Sequence, residues 1–442
     1  MLLNKVNYKK GTKYRNMQKE PKKQLLAFKW LTKIVSDITL HKRLKIKKVN
    51  MEGVKAPYFL LSNHMGFVDL EINALAAYPA RVSHIATLEG HYRRSLLMEL
   101  DGCIGKRKFT TDPHLIPACE KVLNKFGAVL TMYPEARYSP IGTLAILPSS
   151  LGQLIKRLKH DVVVLVHHGN YLHTPFWDWR RKRDVPLCSV MTRVLTKEQV
   201  EELSAEEIQD TVTKALWYDE YKYQKDNNIR ITEPYRAEGL HKVLYQCPIC
   251  KTEFKMYTEG AILGCSECGH KWELTEIGEL KAIEGETVFS HPPTWYEWQR
   301  ANVRKEIDEG RYSFTDEVDV FSLPNTNNFI DLGKARLTHS METGFVIEGH
   351  YNGEDYKISR PVAGMYGVHI EYDYCYIRPE ECVQISTSDD TFVCFPSEKN
   401  QVTKLSIATE ELYKVKTEEK RLKRLARKLA KESETNGETE NK

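Results

Sequence analysis

The chain has 442 residues, too many for one ordinary hydrophobic core, so two or three domains are expected. Its 41% hydrophobic and 28% charged residues fit a globular protein, and no run reaches the roughly 18 uninterrupted apolar residues of a membrane-spanning helix. Four of the ten cysteines form two Cys-x-x-Cys pairs and the others are scattered, which argues against a disulfide framework and for reduced thiols.

The net charge of +5 is unevenly spread, with lysine and arginine crowding both ends, as suits an anionic surface. Residues 1–23 are polar and basic, lack the apolar region of a secretory signal, and read as loosely ordered. The expected location is cytoplasmic, peripheral to the inner face of the membrane. Gln24 to Leu40 carries Leu31, Ile34, Val35 and Ile38 at helical spacing, interrupted by Lys29, Lys33 and Asp37. That pattern gives an amphipathic helix, lying on a membrane with Phe28 and Trp30 at the interface or packed on the domain that follows. The first unit is therefore 1–41.

Leu44 to Val49 alternates as an edge strand, and Pro57 to Leu61 is a short buried strand. Ser62-Asn63 then turns the chain, His64 stands just past the strand end, and a helix begins near Asp69. Val82 to Ala86 reads as a strand and His91 to Leu100 as a short helix. A glycine-rich turn follows with Lys106-Arg107-Lys108 in a row. Pro117 to Phe126 is helical, and Ala128 to Tyr133 is a buried strand ending in Pro134-Glu135-Ala136-Arg137. Leu147 to Lys159 is an amphipathic helix, Val162 to Val166 an apolar strand, and 197–228 polar helix. Strands alternating with helices predict an α/β domain over 42–235, with a central, mostly parallel sheet flanked by helices.

Two constellations stand at strand ends of that domain. His64 and Asp69 share one strand-to-helix turn, either as a general base with the carboxylate that orients its ring, or as a satisfied histidine beside a capping aspartate. Glu135 and Arg137 follow another buried strand. Ligands of open α/β sheets bind beyond the carboxyl ends of the strands, so both pairs could line one crevice. An arginine there suits a phosphate, or else simply pairs with Glu135. The Lys106 to Lys108 turn is a third candidate for the same crevice, or a solvated turn.

Residues 55 to 170 resemble the glycerolipid acyltransferase family, whose members acylate lysophosphatidic acid or glycerol 3-phosphate. Asn63, His64 and Asp69 match its N-H-x4-D block. Gly102, Ile104 and either Arg107 or Lys108 resemble its second block. Tyr133-Pro-Glu-Ala-Arg137 resembles the short P-E-G-R form of its third, with Ala136 in place of glycine. Val162 to Val166 supplies the strand of its fourth, but His167-His168-Gly169 follows where a proline is expected. The resemblance implies an acyl group moving from an acyl thioester, acyl-coenzyme A or acyl carrier protein, to the hydroxyl of lysophosphatidic acid in phospholipid synthesis. It assigns His64 as base and Asp69 as its orienter. Backbone N–H groups around Met65 to Phe67 are candidates for the oxyanion. Asn63, Arg107, Lys108, Glu135 and Arg137 would bind substrate. Another lipid alcohol as acceptor, or a non-catalytic membrane-associated scaffold, is the alternative.

Beyond Pro234 the character changes. Cys247, Cys250, Cys265 and Cys268 form two Cys-x-x-Cys knuckles, the pattern of a structural zinc ribbon over 240–280. Its few lysines are offset by glutamates, so no nucleic-acid partner is expected. From 285 to 413, short apolar runs alternate with turns and a helix closes at Gln401 to Tyr413, which suggests a β-rich domain of pleckstrin-homology-like shape. Lys414 to Lys431 sets Leu422, Leu425 and Leu429 amid nine cations, either a membrane-surface helix or a solvated one. Residues 432–442 read as disordered.

Overall fold

The structure, a computed structural model, describes residues 6–40, 43–66 and 68–439, without the side chains of 424 and 428–439. Three sheets follow one another along the chain. The first is built from β1 (Leu44–Val49), β2 (Phe59–Ser62), β3 (Val82–Thr87), β4 (Ile104–Lys106), β5 (Val129–Met132), β6 (Val162–His168) and β7 (Leu187–Leu195), in the order β1-β7-β6-β2-β5-β3-β4. The five strands β6, β2, β5, β3 and β4 run parallel, while β7 is antiparallel to β6. The central strands are apolar because both faces are covered. Phe59, Leu61, Leu130 and Val164 fill one face, and Leu60, Val129, Val163 and Leu165 the other. The mostly parallel α/β architecture is thus present. The antiparallel β7 was missed in the sequence, since its alternating PLCSVMTRVL follows a polar stretch rather than a predicted helix.

The helices of this part are α1 (Leu26–Leu40), α2 (Asp69–Ala77), α3 (Ser95–Leu100), α4 (Leu115–Glu120), α5 (Leu151–Leu158), α6 (Asn170–His173), α7 (Lys197–Glu202), α8 (Ala205–Ala215) and α9 (Glu220–Asp226). The described part of the N-terminal segment is not loose. Val6 is buried, the Tyr8 hydroxyl bonds Ser322 and Asp390 from the far half of the chain, and Arg15 and Lys19 donate to Glu99 at 2.9 and 2.7 Å.

The second sheet is the ribbon, with β8 (Met256–Glu259), β9 (Ile262–Cys265), β10 (Lys271–Leu274) and β11 (Leu280–Ala282) in sequential antiparallel order. A helix absent from the expectations, α10 (Pro292–Asp308), packs on it, with Trp272 and Trp295 edge to face at 5.0 Å. The third sheet runs β12 (Ser313–Ser322), β13 (Ile330–Ser340), β14 (Gly344–Tyr351), β15 (Glu354–Arg360), β16 (His369–Glu371), β17 (Cys382–Ser386) and β18 (Thr391–Pro396). All its neighbours are antiparallel, in the order β15-β14-β13-β12-β18-β17-β16. The chain ends in α11 (Val402–Thr439). This single helix absorbs the expected closing helix, the basic amphipathic stretch and most of the tail expected to be disordered. Residues 440–442 and the Leu429 side chain lie outside the described set.

Candidate active site

Parallel strands bring their carboxyl ends to one edge of the sheet. Ser62 ends β2, Thr87 ends β3, Lys106 ends β4, Met132 ends β5 and His168 ends β6, so the segments around His64, Arg107, Glu135 and His167 emerge side by side. At the centre, His64 Nδ1 lies 2.9 Å from Asp69 Oδ2. The same oxygen accepts the backbone N–H groups of Met65 and Gly66 at 2.6 and 2.9 Å, while Asp69 Oδ1 accepts the Asn170 amide at 2.7 Å. Burial works to raise the Asp69 carboxyl. The His64 bond, the nearby His167 and the Gly66 N–H outweigh it and hold the group below its ordinary value. With Nδ1 turned to the carboxylate, Nε2 is the nitrogen that can face a substrate. The ring stacks on Tyr133 at 3.9 Å and is flanked by Tyr138 at 4.2 Å. Because Met65 and Gly66 donate to Asp69, their N–H groups are not free for an oxyanion, which corrects that expectation. Phe67 lies outside the described residues.

The other expected site residues have other occupations. Asn63 pairs both ways with the His167 backbone, donating to its carbonyl at 3.0 Å and accepting its N–H at 2.8 Å, and so ties the end of β2 to β6. Glu135 is buried and braces the His64 turn, accepting His64 N at 3.2 Å, Ala145 N at 2.8 Å and the Tyr218 hydroxyl at 3.2 Å. Burial pushes its carboxyl up to about 7 in spite of those donors. Ala136 stands at φ +56°, the left-handed conformation in which the family pattern has glycine.

Arg137 and Arg107, the expected phosphate ligands, both turn away into the carboxyl-terminal half. Arg137 donates to Ser406 Oγ at 2.6 Å and to the Glu410 carboxylate of α11. Arg300 of α10 holds the other Glu410 oxygen at 2.6 Å. Arg107 is 1% exposed and donates to the carbonyls of Leu323, Pro324 and Asp389 and to Thr391 Oγ1, at 2.8 to 3.2 Å. Lys108 sits beside Glu89 and Glu371, whose charges oppose the lowering of its pKa by burial. The departure at the fourth block also has a local cause. Gly169 has φ +85°, a Cβ there would meet the Pro186 carbonyl oxygen at 2.3 Å, and its N–H donates to Glu220 at 2.6 Å. A proline could make neither the conformation nor the bond.

Sequence reasoning also missed the roof of the site. Strand β16 brings His369 and Glu371, paired at 2.8 Å, to the His64 turn, where Glu371 lines a cleft with Met65 and Gly66. Burial drives the His369 pKa far down, and the charges of Lys108, Arg137 and His64 act in the same direction. Nothing local in HIEY marks that role, because the partners lie some 300 residues away in sequence.

Away from the sheet edge, the four ribbon cysteines offer sulfurs within 4.8 Å of one another, with Cys247–Cys268 at 3.6 Å and Cys250–Cys265 at 3.7 Å. Zinc–sulfur bonds of about 2.3 Å place tetrahedral sulfurs roughly 3.8 Å apart, so the four thiols fit a zinc ion that would hold the two knuckles together. Four sulfur ligands leave no open position for chemistry.

Neither a protein-family model nor a curated protein matches the chain. Among solved structures, the 1-acyl-sn-glycerophosphate (LPA) acyltransferase PlsC from Thermotoga maritima is similar over 42% of this chain and 78% of that one, at 13% identity and a TM-score of 0.33. A likeness that slight does not establish a shared fold or activity.

Proposed function

We propose that the protein is an acyltransferase that moves an acyl group from a thioester, carried by coenzyme A or acyl carrier protein, to the hydroxyl of a lipid acceptor. The observation that carries this reading is the His64–Asp69 pair at the carboxyl edge of a parallel sheet, with Nε2 turned away from the carboxylate. His64 Nε2 takes the proton of the acceptor hydroxyl as its oxygen attacks the thioester carbonyl. The tetrahedral intermediate expels the thiolate, the C–S bond breaks, and the imidazolium returns the proton to sulfur. Asp69 keeps the ring in one tautomer and stabilises the imidazolium. No covalent enzyme intermediate is needed.

Lysophosphatidic acid is the acceptor that the sequence blocks imply. The second reading, another lipid alcohol, is favoured by the commitment of Arg107 and Arg137 to the carboxyl-terminal half. Work at a membrane surface is supported by α1, whose Trp30, Leu31, Ile34 and Ile38 are exposed beside Lys29 and Lys33. Among the described residues, no helix is long and apolar enough to cross a membrane. The deciding experiment presents radiolabelled oleoyl-coenzyme A and mixed lyso-lipids to the wild type and to His64→Ala. Label should pass to lipid in the first and not in the second. Equal transfer by both proteins would end the assignment.

A further inference from the structure

A cleft of about 50 Å³ opens beside the His64 turn, between the two halves of the chain. Its floor is Met65 and Gly66 of that turn, together with Tyr138, which flanks the His64 ring. Around them stand the rings of Phe176, Trp179, Tyr374 and Tyr376. Its charged lining residues are Glu371 and Asp373, with no lysine or arginine among them.

The cations around the cleft already have partners, Arg94 among them, which donates to the Tyr376 hydroxyl at 3.0 Å and to the Gly90 carbonyl at 3.1 Å. Asp373 accepts a bond from Arg180 at 2.7 Å. Glu371 accepts from His369, and burial pushes its carboxyl up to about 7 although Lys108 pulls the other way. The terminal nitrogens of Arg107 and Arg137 are engaged by backbone, hydroxyl and carboxylate acceptors of the carboxyl-terminal half. Lys108 lies within the influence of Glu89 and Glu371, whose charges oppose the lowering of its pKa by burial. A phosphomonoester would bring up to two negative charges toward two carboxylates, in a site where both bidentate cations are already engaged. Removing such a group from water without a dedicated cation costs far more than aromatic contact returns. A phosphocholine head group would meet the same obstacle through its phosphate. An uncharged polyol does not meet it. Its hydroxyls can donate to the carboxylate oxygens and exchange bonds with the tyrosine hydroxyls, and its carbon face can lie on the rings. At 10–15 Å³ per water-sized site, the cleft accommodates about four such sites, the scale of a glycerol unit.

Resting on the acyl-transfer reading above, we propose that this interdomain cleft is the acceptor site and that it selects an uncharged, glycerol-like polyol end rather than a phosphate-bearing one. The carboxyl-terminal half supplies one wall, so acceptor choice belongs to both halves together.

The test uses the full-length protein, oleoyl-coenzyme A and three acceptors of equal chain length: 1-oleoylglycerol, oleoyl lysophosphatidic acid and oleoyl lysophosphatidylcholine. The expected result is a kcat/KM for 1-oleoylglycerol at least about tenfold above either of the others, equivalent to about 1.4 kcal/mol of discrimination. Trp179→Ala should raise the KM for 1-oleoylglycerol by a similar factor, with the donor KM moving less. Preference for either phosphate-bearing lipid would overturn the inference and leave the acyl-transfer reading standing. So would a Trp179→Ala effect confined to donor chain-length preference, which would give the cleft to the acyl chain. His64-dependent hydrolysis of the thioester with none of the three acceptors consumed would also overturn it. Absence of any His64-dependent reaction on the thioester would overturn the acyl-transfer reading itself.

Discussion

The buried ion network around Glu410 gives the sharpest test, because two views of Arg137 lead to opposite results. If Arg137 were a substrate ligand, Arg137→Ala would weaken acceptor binding and spare stability. In the structure the guanidinium is 4% exposed and Glu410 only 1%, with Arg300 on the second carboxylate oxygen. Breaking a buried pair by removing one partner costs about 3–5 kcal/mol, since the remaining charge is left without its counterpart. In Arg137→Ala, Glu410 keeps Arg300, so the loss should fall near the lower end, about 3 kcal/mol. In Glu410→Ala, Arg137 loses its carboxylate while Arg300 retains Glu297 and Glu411, and about 5 kcal/mol is expected. An unfolding entropy of about 2.1 cal/mol/K per residue over 442 residues gives roughly 0.9 kcal/mol/K if the chain melts as one unit. The midpoints should then drop by about 3 °C and about 5 °C. Differential scanning calorimetry measures both, beside acceptor KM. A melting point for Arg137→Ala within about 1 °C of the wild type, together with a raised KM for lysophosphatidic acid, would refute the reasoning.

Three further outcomes are expected. Asp69→Asn would leave, at a 0%-exposed position, an amide facing two backbone donors and a ring free to take the wrong tautomer; turnover should fall by about 10³–10⁴-fold, and a loss under tenfold in a steady-state assay would remove Asp69 from its role. The ribbon should carry one zinc per chain by plasma mass spectrometry, and its removal should lower the melting point by loosening the Trp272–Trp295 contact; a metal-free protein of full stability would exclude the site. Burial holds His339 at about 3 against an ordinary 6.5, so between those values the unfolded chain carries a proton that the folded one does not. Its contribution to stability is complete above 6.5 and is lost as pH falls toward 3, at up to about 1.4 kcal/mol per pH unit. His339→Phe should therefore show a shallower fall of melting point between pH 6 and 4, and an unchanged slope would contradict the assignment.

The parallel sheet was legible because its strands are continuous apolar runs, and Leu44 to Val49 could be bounded to the residue. The His64–Asp69 pair was legible because five residues across a strand-to-helix turn fix it locally. Glu135 was found at the right place, but its role was not, since its partners Ala145 and Tyr218 lie 10 and 83 residues on. Asn170 escaped for the same reason, at 101 residues from Asp69. The two arginines show the limit most clearly. A guanidinium beyond a strand end reads as a phosphate ligand, and only the tertiary fold shows that Glu410 and the Pro324 and Asp389 carbonyls have claimed the two forks. Helix α10 was not anticipated, although Pro292-Pro293 in its first turn is a favourable helix start.

These contacts bear on what the carboxyl-terminal half is for. An appended module would meet the α/β part through a small, polar and exchangeable surface. Here the joining groups are buried: Arg107 under the β12–β18 edge, Arg137 against α11, and Tyr8 bonded to Asp390. Separating the halves would break all of these bonds together. The ribbon extends the connection, since Lys404 of α11 reaches Glu253 at 2.7 Å and Glu306 of α10 at 3.0 Å. Under the acyl-transfer proposal, a β-domain held this firmly would take part in acceptor choice, because Glu371 of β16 lines the same cleft as Met65 and Gly66 of the His64 turn.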